Sequence, residues 1–122
     1  MPAKDSISIA YLDELHAAIG SRLALILQSY VQTSREHINA LIEALQQHDS
    51  AKMADICHTL KGSSANIGAI VLPQLCQQLQ ESAGGEASPQ KFNTLAQILS
   101  MIKSENSAII ERLDAYLNSI QN

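Results

Sequence analysis

The run His58-Thr59-Leu60-Lys61-Gly62-Ser63-Ser64-Ala65-Asn66-Ile67-Gly68 sets a titratable nucleophile, a cation and a glycine within about one helical turn. A neutral imidazole, with a reference pKa of about 6.5, holds a free lone pair near neutral pH and can attack an electrophile. A phosphoryl group arriving there brings negative charge. Lys61, three residues on, is a surface neighbour on a helix and can offset that charge. At 100° per residue, Met53, Ile56, Cys57, Leu60 and Ile67 form one apolar stripe, the mark of a core-facing side. The same rotation turns His58 roughly 150° away from the middle of that stripe. Around it fall Ala54, Asp55, Gly62 and Ala65, mostly short side chains, where a solvated face usually carries Glu, Lys or Gln.

Gly62 needs a reason, since glycine inside a helix costs about 1 kcal/mol relative to alanine. A steric one is that a bulky partner approaches the backbone beside His58. On the residues alone, a merely solvated histidine with Gly62 ending the helix accounts for the same run.

His58 to Gly68 resembles the central motif of the histidine phosphotransfer (HPt) domains of multistep phosphorelays. The similarity continues through Leu75-Cys76 and Leu79-Gln80, and its strong part covers about residues 50–83. The resemblance implies that His58 carries the phosphoryl group, that Lys61 helps neutralise it, and that Gly62 leaves room for a receiver domain. It implies that Gln80, on the next helix, is a polar neighbour able to hydrogen-bond the histidine or its phosphate. Ala54, Asp55, His58, Lys61, Gly62 and Ala65 would then form the partner-binding face. Pro73 is less usual for the family, but it falls in a first helical turn, where a missing N–H does little harm.

The elements that must position these residues read as helices. Ser8 is expected to cap a short first helix through Ile19, with Ile9, Leu12, Leu15 and Ile19 along one side and Gly20-Ser21 ending it. A long second helix spans about 22–47, with Leu23, Leu27, Tyr30, Ser34, Ile38, Leu41 and Leu45 recurring at three and four. Asp49-Ser50 caps the third, which carries His58 and fades towards Gly68. The fourth, about 70–83, buries Leu72, Leu75, Cys76 and Leu79 and ends at Gly84-Gly85.

Ser88-Pro89 starts a last helix whose seam runs Phe92, Leu95, Leu99, Ile102, Asn106, Ile109, Leu113, Tyr116 and Ile120. Its roughly 30 residues would span about 45 Å. A lone Asn on such a seam can set coiled-coil register, so dimerisation through this helix stands as one reading. Three other amphipathic helices favour a different one, with the seam packed inside its own bundle and Asn106 at the bundle's edge. Short connections imply antiparallel neighbours. The expected fold is all-α: an antiparallel up-down four-helix bundle with an additional short N-terminal helix covering one end, one domain over residues 1–122.

Bulk properties narrow the function. With 122 residues, 46% of them hydrophobic, the chain can fill one core. A net charge of −4 argues against general nucleic-acid binding, which needs a basic stripe. No apolar run approaches the ~20 residues of a membrane span, so no membrane insertion is expected. Met1-Pro2-Ala3-Lys4-Asp5-Ser6 lacks the apolar core of a secretory signal, which points to the cytoplasm. Cys57 and Cys76 form no Cys-x-x-Cys pair and read as small buried hydrophobes in a reducing compartment.

Other chemistry falls away. Lys61-Gly62-Ser63 has the wrong order for a phosphate-binding loop, which needs Gly-Lys-Ser/Thr after a strand. Cys57 and His58, being adjacent, diverge by about 100° and cannot act as nucleophile and base together. His16, His37 and His48 lack metal-ligand spacing and read as solvated helix positions, His48 beside a helix C-terminus where its cation would suit the dipole. No nucleotide pocket, cofactor or metal site is expected, and with them no ability to take phosphate from ATP.

The reading favoured is a phosphorelay intermediate of two-component signalling. His58 would accept a phosphoryl group reversibly from a receiver-domain aspartate and pass it to another response regulator, with Mg²⁺ supplied by the receiver. Response-regulator receiver domains and a hybrid sensor histidine kinase are the implied partners, met by a monomer. The alternatives are a non-phosphorylated helical docking module for receivers, and a helical enzyme using His58 as general acid/base without an orienting carboxylate.

Overall fold

The computed structural model describes residues 5–121. Three of its five helices begin where a short polar side chain accepts a free N–H. Ser8 Oγ accepts from Tyr11 N at 3.1 Å to start α1 (Ile9–Ile19). Asp49 Oδ1 accepts from Lys52 N at 3.0 Å to start α3 (Ser50–Asn66). Ser88 Oγ accepts from Lys91 N at 3.1 Å at the head of α5 (Pro89–Gln121). The helices α2 (Arg22–Gln46) and α4 (Leu72–Ala83) start without such a cap, and α4 carries Pro73 in its first turn.

Helices α2 to α5 pack as a ring in chain order, each on its two neighbours and α5 back on α2. The connections are short, so neighbours run antiparallel. The closed interior holds Leu23, Leu27 and Leu41 of α2, Met53, Cys57 and Leu60 of α3, Leu72, Cys76 and Leu79 of α4, and Leu95, Ile102, Ile109 and Leu113 of α5. Helix α1 lies over one end, with Leu12 buried and Tyr116 of α5 donating from its hydroxyl to Asp13 Oδ1 at 2.7 Å. Among the described residues no helix is long and apolar enough to cross a membrane.

Four expectations are corrected. Asn106 is not at the edge of the bundle but 3% exposed: its Oδ1 accepts from Tyr30 Oη at 2.8 Å and its Nδ2 donates to Ser34 Oγ at 2.9 Å. Tyr30 and Ser34 lie on the buried stripe of α2, so the amide finds partners inside and has no need of the surface. Ile9 is exposed rather than buried with Leu12.

Helix α4 begins at Leu72, two residues later than expected, because the preceding segment is taken by another partner. Ser8 N donates to Gly68 O at 2.9 Å, Ile70 N donates to Ser6 O at 3.0 Å, and Ile7 bridges Ala69 antiparallel with its own side chain fully buried. Gly68 makes that approach possible. Its φ is +87°, and a Cβ there would lie 2.8 Å from Tyr11 Cδ2.

Finally, His16 and His37 are half-buried rather than solvated, and His37 Nδ1 lies buried without a hydrogen-bond partner. His48, just past α2 at φ +53°, stacks on Phe92 with ring centroids 4.5 Å apart. Residues 1–4, which carry most of the sequence-based reading of the N-terminus, lie outside the described residues.

Candidate functional site

Helix α3 packs between α2 and α4, and its buried side consists of Met53, Cys57, Leu60 and Ser64, continued by Ile67 just beyond the helix. Ser64 enters this stripe because its hydroxyl donates back to Lys61 O at 3.1 Å, leaving no polar atom to satisfy elsewhere. With those residues facing inwards, rotation alone sends His58 out to solvent. It is exposed, as are Asp55, Gly62 and Ala65, while Ala54 and Lys61 are half-buried on the flank towards α4. The clearing around the imidazole expected from the short side chains is present.

Gly62 lies inside α3, which continues to Asn66, so it does not end the helix. Its φ is not positive, and a Cβ built on it meets nothing within 4 Å. Neither backbone conformation nor internal packing requires glycine at this position. What distinguishes it is open space beside His58.

Lys61 reaches across the seam between α3 and α4, where its Nζ donates to Gln77 Oε1. In an antiparallel pair, three residues back on one helix match three residues forward on the other. The contact between residues 61 and 77 therefore brings Gln80 level with His58. Gln80 is half-buried, and its Oε1 is buried without a hydrogen-bond partner. No hydrogen bond joins His58 to Gln80 or to Lys61 among the described residues.

The helix register thus sets Gln80 level with His58, while the Lys61 ammonium is engaged by α4 rather than held over the ring. Gln77 was missed by the sequence-based reading. Its position one turn before Gln80 was the available signal, and it becomes meaningful only with the register of the two helices.

Lys61 makes no ion pair among the described residues, where the one found joins Arg112 to Asp5 at 2.6 Å, both exposed. Next to His58 in sequence, the Cys57 thiol is buried, and its hydrogen bond with the Cys76 thiol, together with that burial, pushes its pKa up. It is inert as a nucleophile. Among the described residues no group of three His, Cys, Asp or Glu side chains is placed to hold a metal ion. What the arrangement offers is an exposed imidazole, a cation held by a neutral amide one turn away, and open space at Gly62.

No curated protein sequence matches the chain significantly. The crystal structure of histidine-containing phosphotransfer protein B from Pseudomonas aeruginosa PAO1 superposes with a TM-score of 0.81 at 22% sequence identity, covering 93% of this chain and 96% of that one. At that identity the likeness concerns the fold, and it extends to nearly the whole of both chains. The family model described as the Hpt domain matches residues 25–121, from early in α2 to the end of α5. The chain therefore belongs to the Hpt domain family, the histidine phosphotransfer domains of two-component phosphorelays.

Proposed function

We propose that His58 is the phosphoryl-accepting residue of this phosphorelay intermediate, and that the whole chain acts as one phosphotransfer unit. The observation that carries the reading is the exposed imidazole beside Gly62, whose missing side chain opens space that no part of the chain itself uses.

In the reaction, the lone pair of an imidazole nitrogen attacks the phosphorus of an aspartyl phosphate on a receiver domain. The P–N bond forms as the bond to the carboxylate oxygen breaks, and the aspartate leaves as carboxylate. The proton on the other ring nitrogen is then free to pass to solvent. Transfer onward reverses these steps on a second response regulator. Positioning and charge stabilisation dominate such a transfer, so the parts required of this chain are few. Lys61 offsets the charge gained at His58, and Gln80, level with the ring, orients the ring by accepting its N–H at the unpartnered Oε1, or the phosphate by donating from its amide Nε2. Ala54, Asp55, Gly62 and Ala65 form the docking surface around them. Mg²⁺ is assigned to the receiver.

Receiver domains and kinases are the partners of Hpt domains in phosphorelays. For this chain the donor proposed is a hybrid sensor kinase in the cytoplasm, approached by the monomer, with no role for nucleic acid.

The test is to incubate the chain with a phosphorylated receiver and follow acid-labile, base-stable label. His58→Gln should melt within about 0.5 kcal/mol of the wild type, as exposed polar substitutions do, and should take no label. Labelling of that variant at the wild-type rate would refute the assignment. A wild type that binds phosphorylated receivers without being labelled would support a docking module instead.

A further inference from the structure

Lys61 lines a cleft of about 320 Å³ between α3 and α4, whose other wall offers the amides of Gln74, Gln77 and Gln78 and the carboxylate of Glu81, four residues beyond Gln77 on the same helix. The ammonium donates to the Gln77 amide and makes no ion pair among the described residues.

That choice has a chemical consequence. A carboxylate on Lys61 would orient the ammonium and cancel its charge, so an arriving phosphoryl group would have to displace it. A neutral amide orients the ammonium and leaves the full positive charge in place. The long lysine side chain, held part-way along the seam, also loses less freedom when phosphate arrives than it would from open solvent.

We propose that Gln77 is the positioning residue for Lys61: its side-chain oxygen holds the ammonium in the α3–α4 seam, one turn from His58, without neutralising it. Gln77 touches neither the ring nor the phosphate and acts through the lysine. Gln80, one turn further on with its own oxygen unpartnered, faces the ring level instead. Two glutamines three residues apart on one helix face thereby divide the work. The inference rests on His58 as the acceptor.

The experiment uses the full chain and a phosphorylated receiver, with single-turnover transfer followed at saturating and subsaturating receiver. Gln77→Glu is expected to lower the saturating transfer rate and shorten the phosphohistidine lifetime by about three- to fivefold, the range that a partly exposed ion pair can supply. Receiver affinity and melting temperature should stay at wild-type values. The deficit should shrink as salt is raised, because screening weakens the competing pair. Gln77→Leu, which removes the acceptor without adding charge, should lose about twofold at every salt concentration.

A Gln77→Glu protein with the wild-type rate and lifetime would overturn the proposal. So would a deficit independent of salt and accompanied by a lower melting temperature, or a larger deficit in Gln77→Leu than in Gln77→Glu. A wild type that takes no label would overturn the His58 reading and this one with it, an outcome distinct from a labelled wild type matched by Gln77→Glu.

Discussion

At the scale of single residues, Gly62 and Gly68 have opposite roles although both belong to the motif that resembles HPt domains. Gly62 is helical with open space at its Cα, so adding a methyl group restricts the unfolded chain without a clash. Gly62→Ala should therefore raise stability by about 0.5–1 kcal/mol. Gly62→Gln should keep most of that gain while laying a long side chain over the approach to His58. Thermal melts and transfer assays on both variants check the contrast: equal or higher melting temperature with poor exchange for Gly62→Gln. A destabilised but fully active Gly62→Gln would mean that the clearing does not serve a partner. Gly68, by contrast, is held at φ +87° with Tyr11 against it. There Gly68→Ala should cost about 1–3 kcal/mol, and hydrogen exchange should show the Ser8 and Ile70 amides losing protection first.

At the scale of elements, the register of α5 against α2 is pinned by polar groups inside an apolar interface. Asn106 accepts from Tyr30 and donates to Ser34, while the Ser34 hydroxyl has its own acceptor in Val31 O at 3.1 Å. Loss of Asn106 thus orphans chiefly the Tyr30 hydroxyl. Asn106→Leu should destabilise by about 2–3 kcal/mol, close to the cost of one buried unsatisfied group with some repacking. Adding Tyr30→Phe should recover part of that loss, since the orphaned donor is then gone. Urea unfolding of the single and double variants measures the coupling. If the double variant were the sum of the singles, the two side chains would not be acting as a pair. The same bonds account for the seam of α5 facing its own bundle: its one polar residue is already matched within the chain.

At the scale of the whole molecule, two tyrosines tie stability to alkaline pH. Burial, reinforced by the bond to the Asp13 carboxylate, pushes the Tyr116 phenol from its usual 10 up to about 12. Burial, with the nearby Cys76 and Glu105, pushes Tyr30 up further still. The neutral phenol is favoured in the fold, so above about pH 10 the unfolded chain releases protons that the native state keeps. Stability from these groups is complete below that pH and falls as pH rises through the folded value. Melting temperature should therefore drop between about pH 10 and 12. Tyr116→Phe should lose about 1 kcal/mol at neutral pH and show a shallower alkaline decline. Equal alkaline slopes in the two proteins would remove Tyr116 from this account.

What the sequence determined by itself is what depends on near neighbours in the chain. Helical periodicity sorted Met53, Cys57 and Leu60 inwards and His58 outwards, and the caps Ser8, Asp49 and Ser88 marked helix starts, because rotation per residue and capping act over three or four positions. The histidine and its clearing were legible for the same reason. Tertiary structure alone decided features that join distant positions. Asn106 meets Tyr30 and Ser34 across 76 and 72 residues, and Lys61 meets Gln77 across 16. The segment around Ile7 displaced the start of α4 by pairing with residues 68–70. Each depends on the register in which two amphipathic surfaces lock. Apolar periodicity states that a face is buried, but packing against the neighbouring helix selects which of its polar residues meet.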